Sequence, residues 1–172
     1  MMPSIELRIA TMVRALREVI EPALAPDNPL AREQAQLVAA HLELLARQIP
    51  LAQQYEDLSL RATTALATRL VAQAAGGERT LAAAAALQDR LAARVPGDQS
   101  AAARRAALGA AMDALIAAAH VDASAAFRAA LYDAVLADAA RQALRDRAWF
   151  AANGLDPEQA DLPDCRTALG LD

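Results

Sequence analysis

The sequence predicts an all-α fold, a single-domain bundle of about six main helices with a C-terminal arm, and three observations carry that prediction. Alanine, the residue of highest intrinsic helix propensity, supplies 49 of the 172 residues. The residues that strands favour are sparse, aromatics amounting to only 3%. Apolar residues recur at three- and four-residue spacing in one segment after another, which at about 100° per residue gathers them into stripes. The length suits one domain with a real core, and the pattern divides into a helical bundle over 1–154 and an arm over 155–172.

Ser4 is placed to cap a first helix that runs to about Glu21, where Pro22 limits it. Its stripe is Ile5, Ile9, Met12, Val13, Leu16, Val19 and Ile20, and on its outer face Arg14 with Glu18 and Arg17 with Glu21 have the spacing of exposed ion pairs. The connection from Pro22 to Asn28 is short, which predicts an antiparallel hairpin with the next helix. That helix is the most clearly written in the chain. Asn28 caps it, Pro29 takes its first position, and Ala31, Ala35, Val38, Leu42, Leu45 and Ile49 form its stripe up to Pro50. Val38, Leu42 and Leu45 are expected to be buried against Ile9, Met12, Leu16 and Ile20.

The third helix, to about Ala75 before Gly76 and Gly77, is apolar on two opposed sides. Leu51, Tyr55 and Leu58 lie on one, and Leu60, Ala67, Leu70 and Val71 on the other, which predicts either burial nearly all round or a break near Ser59. Thr80 is placed to cap a fourth helix with the stripe Leu81, Ala84, Leu87, Leu91 and Val95, closed by a Pro96-Gly97-Asp98 turn. A fifth starts near Ser100 and uses Leu108, Met112, Leu115 and Ala119. Asp122 or Ser124 opens the longest helix, which stops at Asn153 and Gly154. In the arm, Asp156 before Pro157 and then Pro163 open short turns, and Leu155, Leu162, Leu169 and Leu171 give it apolar surface to bury.

The formal net charge of -4, with 17 dispersed arginines and no lysine, argues against a phosphate-tracking surface, so no nucleic-acid partner is expected. Glu6, Arg8, Arg14, Arg17 and Glu18 interrupt the N-terminal apolar pattern, which is therefore no signal peptide, and no run approaches a membrane span; a cytoplasmic protein without a membrane partner is expected. Cys165 is the sole cysteine. The sequence carries no phosphate-cradling glycine loop, nucleophile elbow, zinc-ligand pattern or dinucleotide fingerprint, and no metal or cofactor is expected. His41 and Glu43 point about 160° apart around their helix, and Asp113 and His120 share a face that reads as solvated surface.

Two groups of residues remain as candidate binding sites. His41 lies between Gln34 and Gln48 at seven-residue spacing, a polar seam beside the apolar stripe. In the longest helix the line of Phe127, Leu131 and Val135 continues as Asp138, Gln142 and Arg145, followed by Trp149, while the apolar side rotates toward Leu136, Ala140 and Ala143. Either the helix re-packs on that new side, or Asp138 and Arg145 enter a polar pocket under Trp149 in which Arg145 holds a small anionic ligand. The function class that fits is a non-catalytic structural, binding or assembly protein, with a homo-oligomer as the expected partner. The alternative is a small-molecule-binding helical protein or cofactor-independent enzyme, its inter-helix site near Asp138, Gln142, Arg145 and Trp149.

Overall fold

The computed structural model describes residues 2–93, 100–154 and 156–171; the expected positions of Val95, the 96–98 turn and Leu155 lie outside them. The fold is all-α. Among the described residues six helices are longer than two turns: α1 (Ile5–Ala15), α3 (Pro29–Gln48), α4 (Ala52–Gln73), α5 (Glu78–Ala92), α6 (Ala101–Asp122) and α7 (Ala125–Phe150). Two short helices accompany them, α2 (Glu21–Ala23) and α8 (Cys165–Ala168). The chain forms two compact units, one of Met1–Ala52 with Arg145–Asp172 and one of Gln53–Leu144, so that the C-terminal segment belongs with the first three helices.

In the Gln53–Leu144 unit one stripe from each helix meets in a single core. Leu66, Ala67 and Leu70 of α4, Ala84 and Leu87 of α5, Leu108, Leu115 and Ala119 of α6, and Phe127, Leu131 and Ala134 of α7 form it. The expected stripes of α6 and α7 are therefore the buried ones, and that of α5 is buried at Ala84 and Leu87 but not at Leu81, which is exposed, with Leu91, Met112 and Val135 packed at the margin. Helix α4 passes Ser59 unbroken and is buried on one side only, since Arg61, Ala65, Thr68 and Arg69 are exposed. Large residues on α4 and α7 and alanine on much of α5 and α6 let the helices approach closely.

The α5 start corrects the sequence reading. Its N-cap is Gly77 rather than Thr80, and the cap is supplied from outside the helix by Asp122 at the end of α6. One Asp122 carboxylate oxygen accepts from the Arg79 amide at 2.9 Å, and the other from the Thr80 amide at 3.0 Å and the Thr80 hydroxyl at 2.6 Å. Backbone bonds between Gly77 and Asp122 and between Ser124 and Ala75 complete the clip. Gly76 sits in it at φ +156°, where a Cβ would come within 2.5 Å of the Ala123 Cα. With Asp122 occupied there, Ser124 caps α7, its Oγ accepting from the Phe127 amide at 3.1 Å.

In the first unit Ser4 and Asn28 cap α1 and α3 as their sequence positions predict, accepting from the Leu7 and Ala31 amides. The two helices pack as the expected hairpin, but through a different face. Ile9 of α1 and Ala39 of α3 are buried, and Ala35, Leu42 and Ala46 are half-buried, whereas Met12, Ile20, Val38 and Leu45 are exposed. The line that meets α1 is thus largely alanine. Small side chains permit the closer approach, and the bulkier Val38 and Leu45 are turned out of the seam. A π-helical turn over Leu16–Ile20, continuous with α1 and α2, adds to the shift. One extra residue enters the turn, so residues beyond it rotate back by roughly the 100° of one helical step.

The same turn breaks the expected pairing of Arg14 with Glu18 and Arg17 with Glu21. Arg17 instead crosses to Glu43 of α3 at 2.8 Å, and the Glu21 carboxylate accepts from the Gln36 amide at 2.6 Å. At the chain's end Asp164 caps α8, accepting from the Arg166 and Thr167 amides. Arg147 donates two hydrogen bonds to Asp156, at 2.8 and 2.9 Å, and one to Glu158 at 2.8 Å.

Candidate interaction surface

The α1–α3 hairpin has two unlike sides. On one, Glu6, Arg14, Arg17 and Glu18 of the first helix and Glu43 and Arg47 of α3 border a groove of about 580 Å³ floored by Ile9, Val13 and Ala46. Residues from both helices line it, so these charged rows turn to the same side of the hairpin. In an antiparallel pair the rows across the seam from them must then share the opposite side. Those rows are apolar. Ile5 and Met12 are seven residues apart on α1, and Ile20 continues their line eight residues on, the additional residue being the one the π turn absorbs. On α3 the exposed large apolar residues are Val38 and Leu45 in one line and Leu30 and Leu37 in the next, about 80–100° round the helix. Each of these seven side chains is between 42% and 65% exposed. Isolated exposed leucines are ordinary, but exposed apolar lines on two adjacent helices are a surface of the kind that marks an interaction site, and Leu7 and Val19 are exposed apart from them.

Gln34 and His41 lie among the apolar α3 lines, and both are exposed. The His41 Nδ1 is 2.9 Å from the carbonyl oxygen of Leu37, so the ring lies back along its own helix. Gln48, the third member of the expected seam, is separated from the other two: it is buried, and its amide donates to the Trp149 carbonyl at 3.0 Å. The seam is therefore not one surface. Its buried end is a structural hydrogen bond and its exposed end lies on the apolar face.

The residues expected to make a polar pocket on α7 fall in different units. Asp138 and Gln142 belong to the Gln53–Leu144 unit, and Arg145 and Trp149 to the other. Asp138 pairs with Arg141 at 3.1 Å, and the Gln142 amide donates to the Tyr55 hydroxyl at 3.2 Å. Arg145 and Trp149 are half-buried, and the backbone of Trp149 receives Gln48. The expected rotation of the apolar side does not produce packing, since Leu136 is 68% exposed and Ala140 and Ala143 are also exposed. Within the Gln53–Leu144 unit, Ala62, Leu66 and Arg69 of α4 and Asp138 and Arg141 of α7 line a groove of about 370 Å³. Its arginines are engaged: Arg69 donates to the Ala134 carbonyl at 3.3 Å and Arg141 to Asp138.

Among the described residues no group of three or more His, Cys, Asp or Glu is placed to hold a metal ion, and no helix is long and apolar enough to cross a membrane. Cys165 is half-buried, and burial together with the Asp164 carboxylate raises its pKa, which makes it a poor nucleophile. Asp113 and His120 are exposed, and the His120 ring lies 3.5 Å from the Tyr132 hydroxyl.

The apolar face escaped sequence reasoning for an identifiable reason. Ala31, Ala35, Val38, Leu42, Leu45 and Ile49 merge two adjacent rows, one with Ala35 and Leu42 that meets α1 and one with Val38 and Leu45 beside it. An apolar arc wide enough for two neighbours was the available signal. Compared with protein-family models, with curated proteins and with solved structures, the chain finds no match.

Proposed function

We propose that this chain is a non-catalytic assembly protein that acts through the apolar face of the α1–α3 hairpin. The observation that carries the reading is the exposure of Ile5, Met12, Ile20, Leu30, Leu37, Val38 and Leu45 on a hairpin whose other side is charged. Leaving this surface in water is unfavourable, at roughly 25 cal/mol for each Å² of apolar area, and covering it is the direct way to recover that free energy. The reading places the protein in the cytoplasm, where its single cysteine needs no disulfide partner.

Photo-crosslinking in cells expressing the chain tests this reading. A photoreactive phenylalanine derivative at position 38 should give covalent adducts with another polypeptide, and the same group at position 47, on the charged face, should give few. Equal yields at the two positions would refute it.

A second reading, a helical protein that binds a small anion, has one observation in its favour, the Arg69 and Arg141 groove between α4 and α7. Asp138 at its edge opposes an anion, and both guanidinium groups already have acceptors. Thermal shifts with phosphate and with mono- and dicarboxylates that vanish in Arg69→Ala would establish it.

A further inference from the structure

We infer that the occupant of the apolar face is a second copy of this chain, related by a two-fold axis, so that two α1–α3 hairpins close a four-helix bundle. The inference rests on the assembly reading above and adds the identity of the partner.

Chemical self-complementarity is the first ground. A two-fold axis sets a surface against itself, so a charge near the axis faces its own copy and is repelled. Arg8, between Ile5 and Met12, and Glu33, between Leu30 and Leu37, stand at the edges of the apolar rows, and the rows themselves carry no carboxylate or guanidinium. Their polar members are Gln34 and His41, and glutamine is a neutral donor and acceptor that can pair with itself. The charged side chains bordering the 580 Å³ groove all lie on the other side of the hairpin.

Spacing is the second ground. Ile5 to Met12, Leu30 to Leu37 and Val38 to Leu45 are seven-residue steps, the repeat that keeps a row facing its neighbour through the slight left-handed twist of a helical bundle. After the π turn, the eight-residue step to Ile20 keeps that row in line. Helices with large residues on one row and alanine on the adjacent row have two neighbours at different distances. The alanine row already has its neighbour within the chain.

Area is the third. At these exposures the seven side chains present on the order of 600 Å² per copy, so a two-fold contact that covered them all would bury at most about 1,200 Å², the lower bound of stable specific interfaces. That area predicts a dimer that dissociates on dilution.

Sedimentation equilibrium of the full chain over a range of concentrations is the test. The expected result is a reversible approach to twice 18.1 kDa, with Val38→Glu and Leu45→Glu each raising the dimer dissociation constant at least 100-fold. Both sites are exposed, so the helical circular dichroism should be unchanged in either variant, and Arg47→Glu, on the charged face, should leave the dimer intact. A wild-type monomer at several hundred micromolar would overturn the inference, as would a dimer that both glutamate variants leave intact. If the monomer result comes with strong crosslinking at position 38 to a different polypeptide, the second copy is refuted and the assembly reading stands. If it comes without crosslinking, both fall.

Discussion

Asp122 shows how much one carboxylate organises. It ends α6, caps α5 and fixes the approach of the two helices, and these roles require a side chain that only accepts. The Thr80 hydroxyl, aided by the backbone amides, lowers its pKa. Burial of Thr80 is complete, so Thr80→Val retains the volume and removes a hydrogen bond to a charged group, a loss of about 1.5–3 kcal/mol. A denaturant midpoint in Thr80→Val equal to wild type would show that the amides alone hold the clip. Asp156 is depressed further, to about 2, chiefly by the hydrogen bonds from Arg147. Both carboxyls titrate at lower pH folded than unfolded, so at acid pH the unfolded chain binds more protons and is favoured. Their contribution is complete above the unfolded value of about 3.9 and is lost as pH falls toward each folded one. Acid titration followed by circular dichroism should therefore show stability falling between about pH 4 and 2, with a smaller fall in Asp122→Asn. These bonds were not legible in the sequence. Thr80 sits where a cap residue belongs, and its partner lies 42 positions away.

Helix existence was legible, because caps and periodicity are local. Ser4, Asn28 and Ser100 each accept an amide three residues on, as their positions predict. Which face of a helix is buried was legible only where one row is apolar. Leu108, Leu115 and Ala119 on α6 are such a row, whereas α3 has two. The π turn was also hidden, since nothing in Leu-Arg-Glu-Val-Ile distinguishes it from an α turn, and through it the ion-pair spacing failed. If the turn accommodates one surplus residue, deleting the exposed Val19 should leave a plain α-helix with Ile20 still beside Met12, and thermal melting should be as cooperative as in wild type. A collapse of helicity would mean that the π turn is not an insertion. Gly109 offers a simpler test on α6. A Cβ there meets nothing within 4 Å, so Gly109→Ala should stabilise the chain by roughly 0.5–1 kcal/mol through the lost freedom of the unfolded backbone.

For the whole molecule, what matters is how unevenly its apolar surface is buried. The Gln53–Leu144 unit draws core residues from four helices, and Leu70, Leu87, Leu108, Leu115 and Leu131 are among its fully buried side chains. The other unit buries Ile9, Ala39, Leu44, Ala148 and Leu169, a smaller set in which alanine is prominent, and leaves a row of large residues outside. Truncating Leu87 to alanine should thus cost about 2–5 kcal/mol, as large-to-small changes in a closed core do. The half-buried Leu42, expected from its sequence position to be central, should cost less. The same imbalance predicts different opening behaviour. Amides of α5 and α6 should exchange only through global unfolding, while those of α1 and α3 open at lower free energy in the isolated chain. A second copy binding the closed hairpin would add stability that grows with protein concentration, by mass action. Hydrogen exchange measured at two concentrations a hundredfold apart should therefore slow in Leu30–Leu45 at the higher one and remain constant in α5 and α6. In Val38→Glu the concentration dependence should disappear and the slower α5 and α6 amides should be unaffected. Uniform slowing throughout the chain would place the contact elsewhere, and no slowing anywhere would leave the exposed face without a partner of its own kind.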